Sequence, residues 1–354
     1  MSLQRFTVSG FRCLDDLEIE ADSRLNLVTG ANASGKTSLL ESIFYLGRGR
    51  SFRASGNREL IQSGKKGFVL FGETEEDEKR QRIGIEVAIG HRRVRVNGAQ
   101  GNSADLARLL PVQVIDPEIH QLIQGAPELR RQFLDWGVFH VKHSFLETWR
   151  WYRKALNQRN AVLRQGDSDA ALSVWNEALV EHGEEIHRLR SAFIDEFNSL
   201  FSAITGENLL FPANCTYKRG WPEETSLSAA LAGSIHRDRA FGSTQVGPHR
   251  ADIALTVNDR RARHRVSRGQ QKMLAAALVI AQTRFVAAQT SAELILLVDD
   301  PAAELDRDNR ERLFQMLREI PAQMFVTALE PEDLPWSAQG QMFHVEHGKV
   351  SSLL

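Results

Sequence analysis

Apolar and polar residues alternate at the start of the chain: Leu3, Phe6 and Val8, then Leu17 and Ile19 set against Glu18 and Glu20. A period of two predicts half-buried strands. The apolar run at residues 25–28 feeds a glycine-rich turn, and a helix is expected over residues 36–46. Residues 68–71, 83–89 and 94–96 predict antiparallel strands, with turns at 75–80 and 90–92, and Asn97-Gly98 closes the last of them. Residues 112–115 predict a short buried strand.

The period then changes. From about Pro117 to Gly206 the pattern is helical and glycines are few. Phe145, Trp149, Tyr152 and Leu156 fall on one helix face, which predicts core packing between two helices rather than a base-stacking surface. A fold-back is expected around Gly166 to Ser168. Strand character returns near residues 216–217 and 252–257. Helix and strand then alternate over 268–288, 294–298, 307–319 and 324–327. That alternation predicts an α/β half with a parallel sheet. No internal repeat and no sustained heptad pattern is visible.

Composition adds little to this pattern. Hydrophobic residues make up 42% and charged residues 25% of the 354, which predicts a sizeable core. The net charge of -1 excludes a general basic coat, so a nucleic-acid surface must be local. Cys13 and Cys215 are far apart and fit two reduced thiols of a cytoplasmic protein. No signal peptide and no membrane span are expected, because charges interrupt every apolar run short of about twenty residues.

Two segments carry phosphate chemistry. Gly30-Ala31-Asn32-Ala33-Ser34-Gly35-Lys36-Thr37 fits G-x-x-x-x-G-K-[ST] between a strand and a helix. Its backbone N–H groups would hold phosphate oxygens, Lys36 would reach the β- and γ-phosphates of ATP, and Thr37 would offer a hydroxyl to Mg²⁺. The strand at 294–298 ends in Asp299 and Asp300. Asp299 would hold the Mg²⁺ shell, and Asp300 would orient or deprotonate the attacking water. ABC-type ATPases usually carry Glu at this second position, so the shorter Asp predicts slow hydrolysis.

A third segment separates subclasses. Val266-Ser267-Arg268-Gly269-Gln270-Gln271-Lys272 precedes an Ala/Leu-rich helix and resembles the ABC signature in its SMC form. Read alone, Ser267 is equally an N-cap; its spacing before the Asp-Asp strand favours the signature. Asp306 matches the D-loop position, and it also reads as the N-cap of the helix beginning near Arg307. The densest basic run is Arg260, Arg261, Arg263, His264, Arg265, Arg268 and Lys272; Arg92, Arg93 and Arg95 form a second. Each is either a phosphate-contact cluster or a solvated face, and no base-reading motif is present.

The chain resembles the RecF family of ABC/SMC-type ATPases over essentially its whole length. The likeness rests on Phe11-Arg12, the phosphate loop, Gly49-Arg50-Ser51-Phe52-Arg53, Pro117-Glu118, Arg130-Arg131 with Phe133-Leu134-Asp135-Trp136, Gln158-Arg159-Asn160, Gly247-Pro248-His249-Arg250-Ala251-Asp252 and Ser267-Arg268-Gly269-Gln270. The resemblance implies an α/β ATPase head, with a mixed sheet and an antiparallel subdomain, plus an inserted α-helical lever arm. The expected parts are residues 1–116 (head), 117–240 (arm) and 241–354 (head). It implies that Ser267, Gly269 and Gln270, with Asp306, reach the ATP of a second subunit, giving an ATP-dependent homodimer. It also implies binding to double-stranded and gapped DNA, slow DNA-stimulated ATP hydrolysis, and work with RecR and RecO that loads RecA at single-strand gaps and stalled forks. Two departures stand out. Pro301 follows the Asp pair, as in transporter ATPases, and Thr327 stands where many ABC ATPases carry a switch histidine, so none is assigned. Gln113 is the candidate Q-loop residue. The rival readings are an ABC-type ATPase subunit driving a non-DNA partner, and a scaffold that binds ATP without hydrolysing it.

Overall fold

Two hydrophobic periods build two kinds of sheet, and a third stretch of chain builds helices. The computed structural model describes residues 2–76, 79–166, 169–209, 211–290, 292–303, 305–335 and 340–353. The strands are β1 (Ser2–Ser9), β2 (Leu17–Glu20), β3 (Leu25–Thr29), β4 (Gly67–Glu76), β5 (Lys79–Ala88), β6 (His91–Val96), β7 (Ala99–Gln100), β8 (Val112–Ile115), β9 (Ala213–Lys218), β10 (Asp252–Val257), β11 (Arg260–Arg261), β12 (Leu294–Val298), β13 (Ala322–Ala328), β14 (Gln341–Glu346) and β15 (Lys349–Leu353). The helices are α1 (Lys36–Arg48), α2 (Ser103–Leu109), α3 (Gln121–Gln124), α4 (Pro127–Val141), α5 (Phe145–Gln165), α6 (Asp169–Asn208), α7 (Leu227–Gly233), α8 (Ile235–Phe241), α9 (Arg268–Thr290) and α10 (Arg307–Arg318).

The chain divides into two compact units, Met1–Ile119 with Thr283–Leu354, and His120–Gln282. In the first, β15-β14-β3-β13-β12-β8 form a mixed sheet whose members from β14 to β8 run parallel. Every residue of β3 and of β12 is buried, as a sheet covered on both faces requires. A second, antiparallel sheet runs β2-β1-β4-β5-β6-β7 and alternates in burial. Its inward Leu3, Phe6, Phe68, Leu70, Ile83 and Ile85 share one core with α1 and with Ile295 and Leu297 of β12. Helix α1 is therefore buried almost all round, and its placement fixes the loop that precedes it.

In the second unit the aromatic stripe runs along α5, half of it buried and half, Trp149 and Leu156, partly exposed. Phe145, Trp149 and Tyr152 stack in series, with Phe145 and Tyr152 buried. Gly166 ends α5 at φ 74; Asp167 and Ser168, the rest of the expected fold-back, lie outside the described residues. Phe193, Phe197 and Phe201 of α6 stack along one face, and Phe133 of α4 meets Phe197 edge-on. By packing, residues 241–282 belong to this unit, whereas the division by motif assigns them to the head for the chemistry they carry. Helix α9 is long and apolar enough to cross a membrane by composition, yet residues 271–283 are buried in protein without a break.

His249 sits inside this unit, its Nδ1 2.6 Å from Tyr152 Oη and its Nε2 2.9 Å from Thr244 O. Burial pushes its pKa down to about 4, against the Thr244 carbonyl, which favours the charged ring. The unfolded chain takes a proton near the ordinary histidine value of about 6.5, and the folded chain refuses it until about 4. Stability is thus retained above that window and lost as pH falls through it, by on the order of 2–3 kcal/mol. Urea unfolding from pH 7 to 4 should show this loss, and His249→Gln should flatten it; superimposable profiles would contradict the assignment.

Candidate nucleotide site

The strand-loop-helix order of β3 and α1 places residues 30–35 in a tight turn at the N-terminus of α1, with Gly30 N donating to Leu329 O and Ser34 N to Ala31 O, both at 3.2 Å. Gly30 and Gly35 adopt φ 143 and φ 120, and Ala33 adopts φ 63. A Cβ on Gly30 would collide with the Val345 carbonyl, so glycine is required there. Lys36 Nζ donates to Gly30 O at 2.6 Å and to Ala31 O at 2.9 Å, folding the side chain back over the loop. Gly35 caps α1 without a side chain, and the first turn holds no acid. The first amides are thus left to an anion. Burial holds the Lys36 ammonium below its ordinary pKa, while Asp300 and Asp299 oppose that shift.

Strand β12 delivers both carboxylates to this loop. Asp299 Oδ1 accepts from Thr37 Oγ1 at 3.0 Å and from Thr327 Oγ1 at 2.9 Å. The Asp300 N–H donates to Thr327 Oγ1 at 2.8 Å, and Asp300 itself sits at φ 47, a left-handed conformation that costs a non-glycine residue on the order of 1–3 kcal/mol. Thr327, fully buried at the position where a switch histidine is absent, therefore ties the two aspartates together. Because Thr37 spends its hydrogen on Asp299, its lone pairs remain for a cation. No group of three or more His, Cys, Asp or Glu able to hold a metal occurs among the described residues. A small hard ion that takes one or two protein oxygens and fills its shell from phosphates fits that donor set.

Other expected residues fall differently. Ser267 caps α9: its Oγ accepts from Gln270 N at 3.3 Å, while its own N–H donates to Gln270 Oε1 at 2.9 Å. This reciprocal pair is a capping box. Ser267, Gly269 and Gln270 belong to the second compact unit. A Cβ on Gly269 would meet nothing within 4 Å. Asp306 caps α10, accepting from Asn309 N at 2.8 Å. Gln113 is buried inside β8 opposite Leu296. The residue past that strand's end is Asp116, whose carboxyl burial pushes up to about 6, with the charges of Asp299 and Glu118 adding to the rise. Sequence reasoning missed Asp116, and it noted Thr327 only as the absence of a switch histidine, giving it no role. The signal for Asp116 was a carboxylate one residue beyond a buried strand. Lys272 is buried, so it leaves the basic run, while Arg260, Arg261, Arg263, His264, Arg265 and Arg268 are exposed. Arg92, Arg93 and Arg95 are exposed but engaged with Ser103, Glu86 and the Gly98 carbonyl.

Residues 2–350 match the family model described as RecF/RecN/SMC N terminal domain. The chain is 40% identical over 360 residues to the DNA replication and repair protein RecF of Pseudomonas syringae, covering 99% of this chain and 98% of that one. It is also 40% identical over 367 residues to RecF of Cellvibrio japonicus, covering 99% of each. A solved structure of the recombination mediator protein RecF with ATP, in the RecFOR pathway, superposes with a TM-score of 0.90 at 26% identity, over 100% of this chain and 98% of that one. An Smc head bound to a domain of ScpA superposes at 0.61 with 18% identity, over 100% of this chain and 98% of that one, a likeness of fold. The mixed sheet, the antiparallel sheet and the helical insertion are thus those of an ABC/SMC-type ATPase head, and the chain belongs to the RecF family of RecF/RecN/SMC ATPases.

Proposed function

We propose that the protein is an ATP-dependent DNA clamp of recombinational repair. It would act at single-strand gaps and stalled replication forks in the cytoplasm, and with RecR and RecO help load RecA. The observation that carries the ATP half is the hydrogen-bonded row Thr37–Asp299–Thr327–Asp300 beside Lys36. The DNA half draws on the names of the full-length relatives.

In this mechanism the loop amides and Lys36 bind the ATP phosphates, which displace the Lys36 ammonium from the Gly30 and Ala31 carbonyls. Thr37 and Asp299 would hold Mg²⁺, which when bound neutralises phosphate charge. Asp300 orients the attacking water and takes its proton. Ser267 and Gly269 close over the ATP of a second protomer, and Asp306 lies along that dimer contact. Glycine at position 269 supports this. It costs the first turn of α9 about 1 kcal/mol relative to alanine, and among the described residues no neighbour forbids a side chain. The room it leaves suits the close approach of an external phosphate. Hydrolysis then releases the two heads from each other and from DNA, and it is slow and DNA-stimulated.

Sedimentation with and without ATP and duplex DNA tests the clamp. The wild type should dimerise with ATP. Lys36→Ala should abolish that dimer by abolishing nucleotide binding. Ser267→Arg should keep nucleotide binding by the monomer within about twofold while blocking dimerisation. A dimer unchanged in Lys36→Ala, or nucleotide binding abolished in Ser267→Arg, would show the division of labour to be wrong.

A further inference from the structure

The sheet β11-β10-β9 of the second unit borders a groove of about 500 Å³ that none of the assigned chemistry uses. Arg130 and Asp252 form one part of its wall. They pair through two hydrogen bonds, 2.7 and 3.1 Å, and Arg130 also donates to Gly125 O at 2.9 Å and to Leu122 O at 3.2 Å. Both are therefore spent on each other and on the backbone. Three further cations line the groove: Lys218 of β9, Arg261 of β11 and Arg263 just beyond it. Lys218 has an exposed partner in Glu223 at 3.5 Å. Arg261 and Arg263 are exposed and carry no ion pair or side-chain hydrogen bond among the described residues. The tight turn at Asn258 and Asp259, at φ 49 and φ 58, holds Arg260 and Arg261 against β10.

Arg261 and Arg263 thus line one groove without an acid of their own among the described residues, and like charges held in one groove favour an anion between them. Planar guanidinium forks match the paired oxygens of a phosphate. The first turn of α4, which begins at Pro127 beside the groove and lacks a side-chain cap, adds the positive end of a helix dipole, offset in part by Glu128 in the same turn. No aromatic side chain appears in the lining among the described residues, so nothing there stacks a base. The chemistry is that of backbone recognition without sequence readout.

Both walls of this groove lead to the signature turn. On one side, Arg263 lies four residues before Ser267, and the intervening segment is tied by Arg265 N and Val266 N to the Ala262 carbonyl, at 2.9 and 3.3 Å. On the other side, Gln124 Nε2 donates to Gln271 Oε1, and Gln271 Nε2 donates to Val266 O at 3.1 Å. Gln271 is buried, which makes this a fixed link. We propose that the groove seats the phosphodiester backbone of DNA and that its occupancy is relayed through Val266 to the Ser267 turn. The inference rests on the clamp function above and supplies a route by which DNA sets the rate of hydrolysis.

The test uses the full chain with ATP and a fluorescein-labelled duplex, read by anisotropy over a range of salt and by ATP turnover with and without the duplex. Arg261→Ala/Arg263→Ala should weaken duplex binding by about tenfold or more and lower the salt slope by about two, one for each guanidinium removed from a phosphate. Gln124→Ala should keep duplex affinity within about twofold while the ratio of stimulated to basal turnover falls toward one. Arg188→Ala, which removes an exposed charge elsewhere in the unit, should change neither readout, and circular dichroism melting checks that each variant is folded. Unchanged affinity and slope in the double variant overturns the site. Unchanged stimulation in Gln124→Ala overturns the relay. A polyglutamate peptide that binds the groove and is not displaced by duplex would assign it to an acidic protein instead. A wild type that binds no duplex removes the clamp function itself, and this control separates the two failures.

Discussion

Asp300→Asn is expected to slow phosphate release by about a hundredfold or more while nucleotide affinity stays within about twofold. The substitution preserves shape, so the Asp300 N–H still donates to Thr327 and the φ 47 conformation persists. What it removes is the ability to take a proton from water. The deficit should therefore appear in the chemical step and not in binding. Thr327 is the support for this geometry. Its hydroxyl gives its hydrogen to Asp299 and accepts one from the Asp300 backbone, so Thr327→Val leaves a buried carboxylate one donor short. A hydrogen bond to a charged group is worth about 1.5–3 kcal/mol, which corresponds to a slowing of roughly tenfold to a hundredfold if it is made in the transition state. Thr327→Ser should recover most of the rate. Single-turnover phosphate release, paired with titration of a fluorescent nucleotide, measures both quantities. Wild-type release from Asp300→Asn would mean that another group activates the water, and Asp116 is the next carboxyl beside Asp299.

The contrast between Asp300 and Thr327 shows what a sequence exposes. The phosphate loop is local: its glycines, lysine and threonine are consecutive, and the backbone turn they make needs nothing from afar. The two aspartates are legible because a wholly apolar strand must end somewhere, and carboxylates at that end have few other uses. Thr327 acts across 28 residues, from a strand where threonine is an ordinary β-former, and only the parallel pairing of β12 with β13 brings its hydroxyl to Asp299. Asp116 likewise depends on β8 lying beside β12, where Asp299 N donates to Ile115 O at 2.8 Å. Lys272 looked like part of a basic surface because charge is visible in sequence and helix phase is not; one turn into α9 it faces inward. Ser267 shows the reverse case. The N-cap and signature readings need not exclude each other, since the capping box shapes the turn that would meet a phosphate. In the fold, alternation gave the antiparallel sheet and its order of elements. The length of α6, unbroken from Asp169 to Asn208, exceeds what a local pattern of capping residues would suggest.

Arg159→Ala is expected to destabilise the helical unit by about 3–5 kcal/mol, the cost of leaving a buried charge without its partner. Arg159 and Asp238 are both fully buried, and Nη1 donates to Asp238 Oδ2 at 2.7 Å and to Thr244 Oγ1 at 2.8 Å. Nε donates to Asn176 Oδ1 at 2.7 Å, so one side chain of α5 fastens α6, α8 and the loop after α8. Asp238 also accepts from Ser234 Oγ and from Gln245 N, which hold its carboxylate in place after the arginine is gone. The carboxylate cannot follow a new partner or reach water without unwinding α8. It must either stay charged in a dry site or take a proton, and both destabilise the fold. This separates a charge effect from a packing effect. Arg159→Met, which refills most of the volume, should remain destabilised in an Asp238 background and recover when combined with Asp238→Leu. Urea unfolding, together with amide exchange in α5 and α8, gives the four corners of that cycle. Equal destabilisation by Arg159→Met with and without Asp238→Leu would show that the arginine serves by filling space, and that the ion pair adds nothing to the stability of the helical unit.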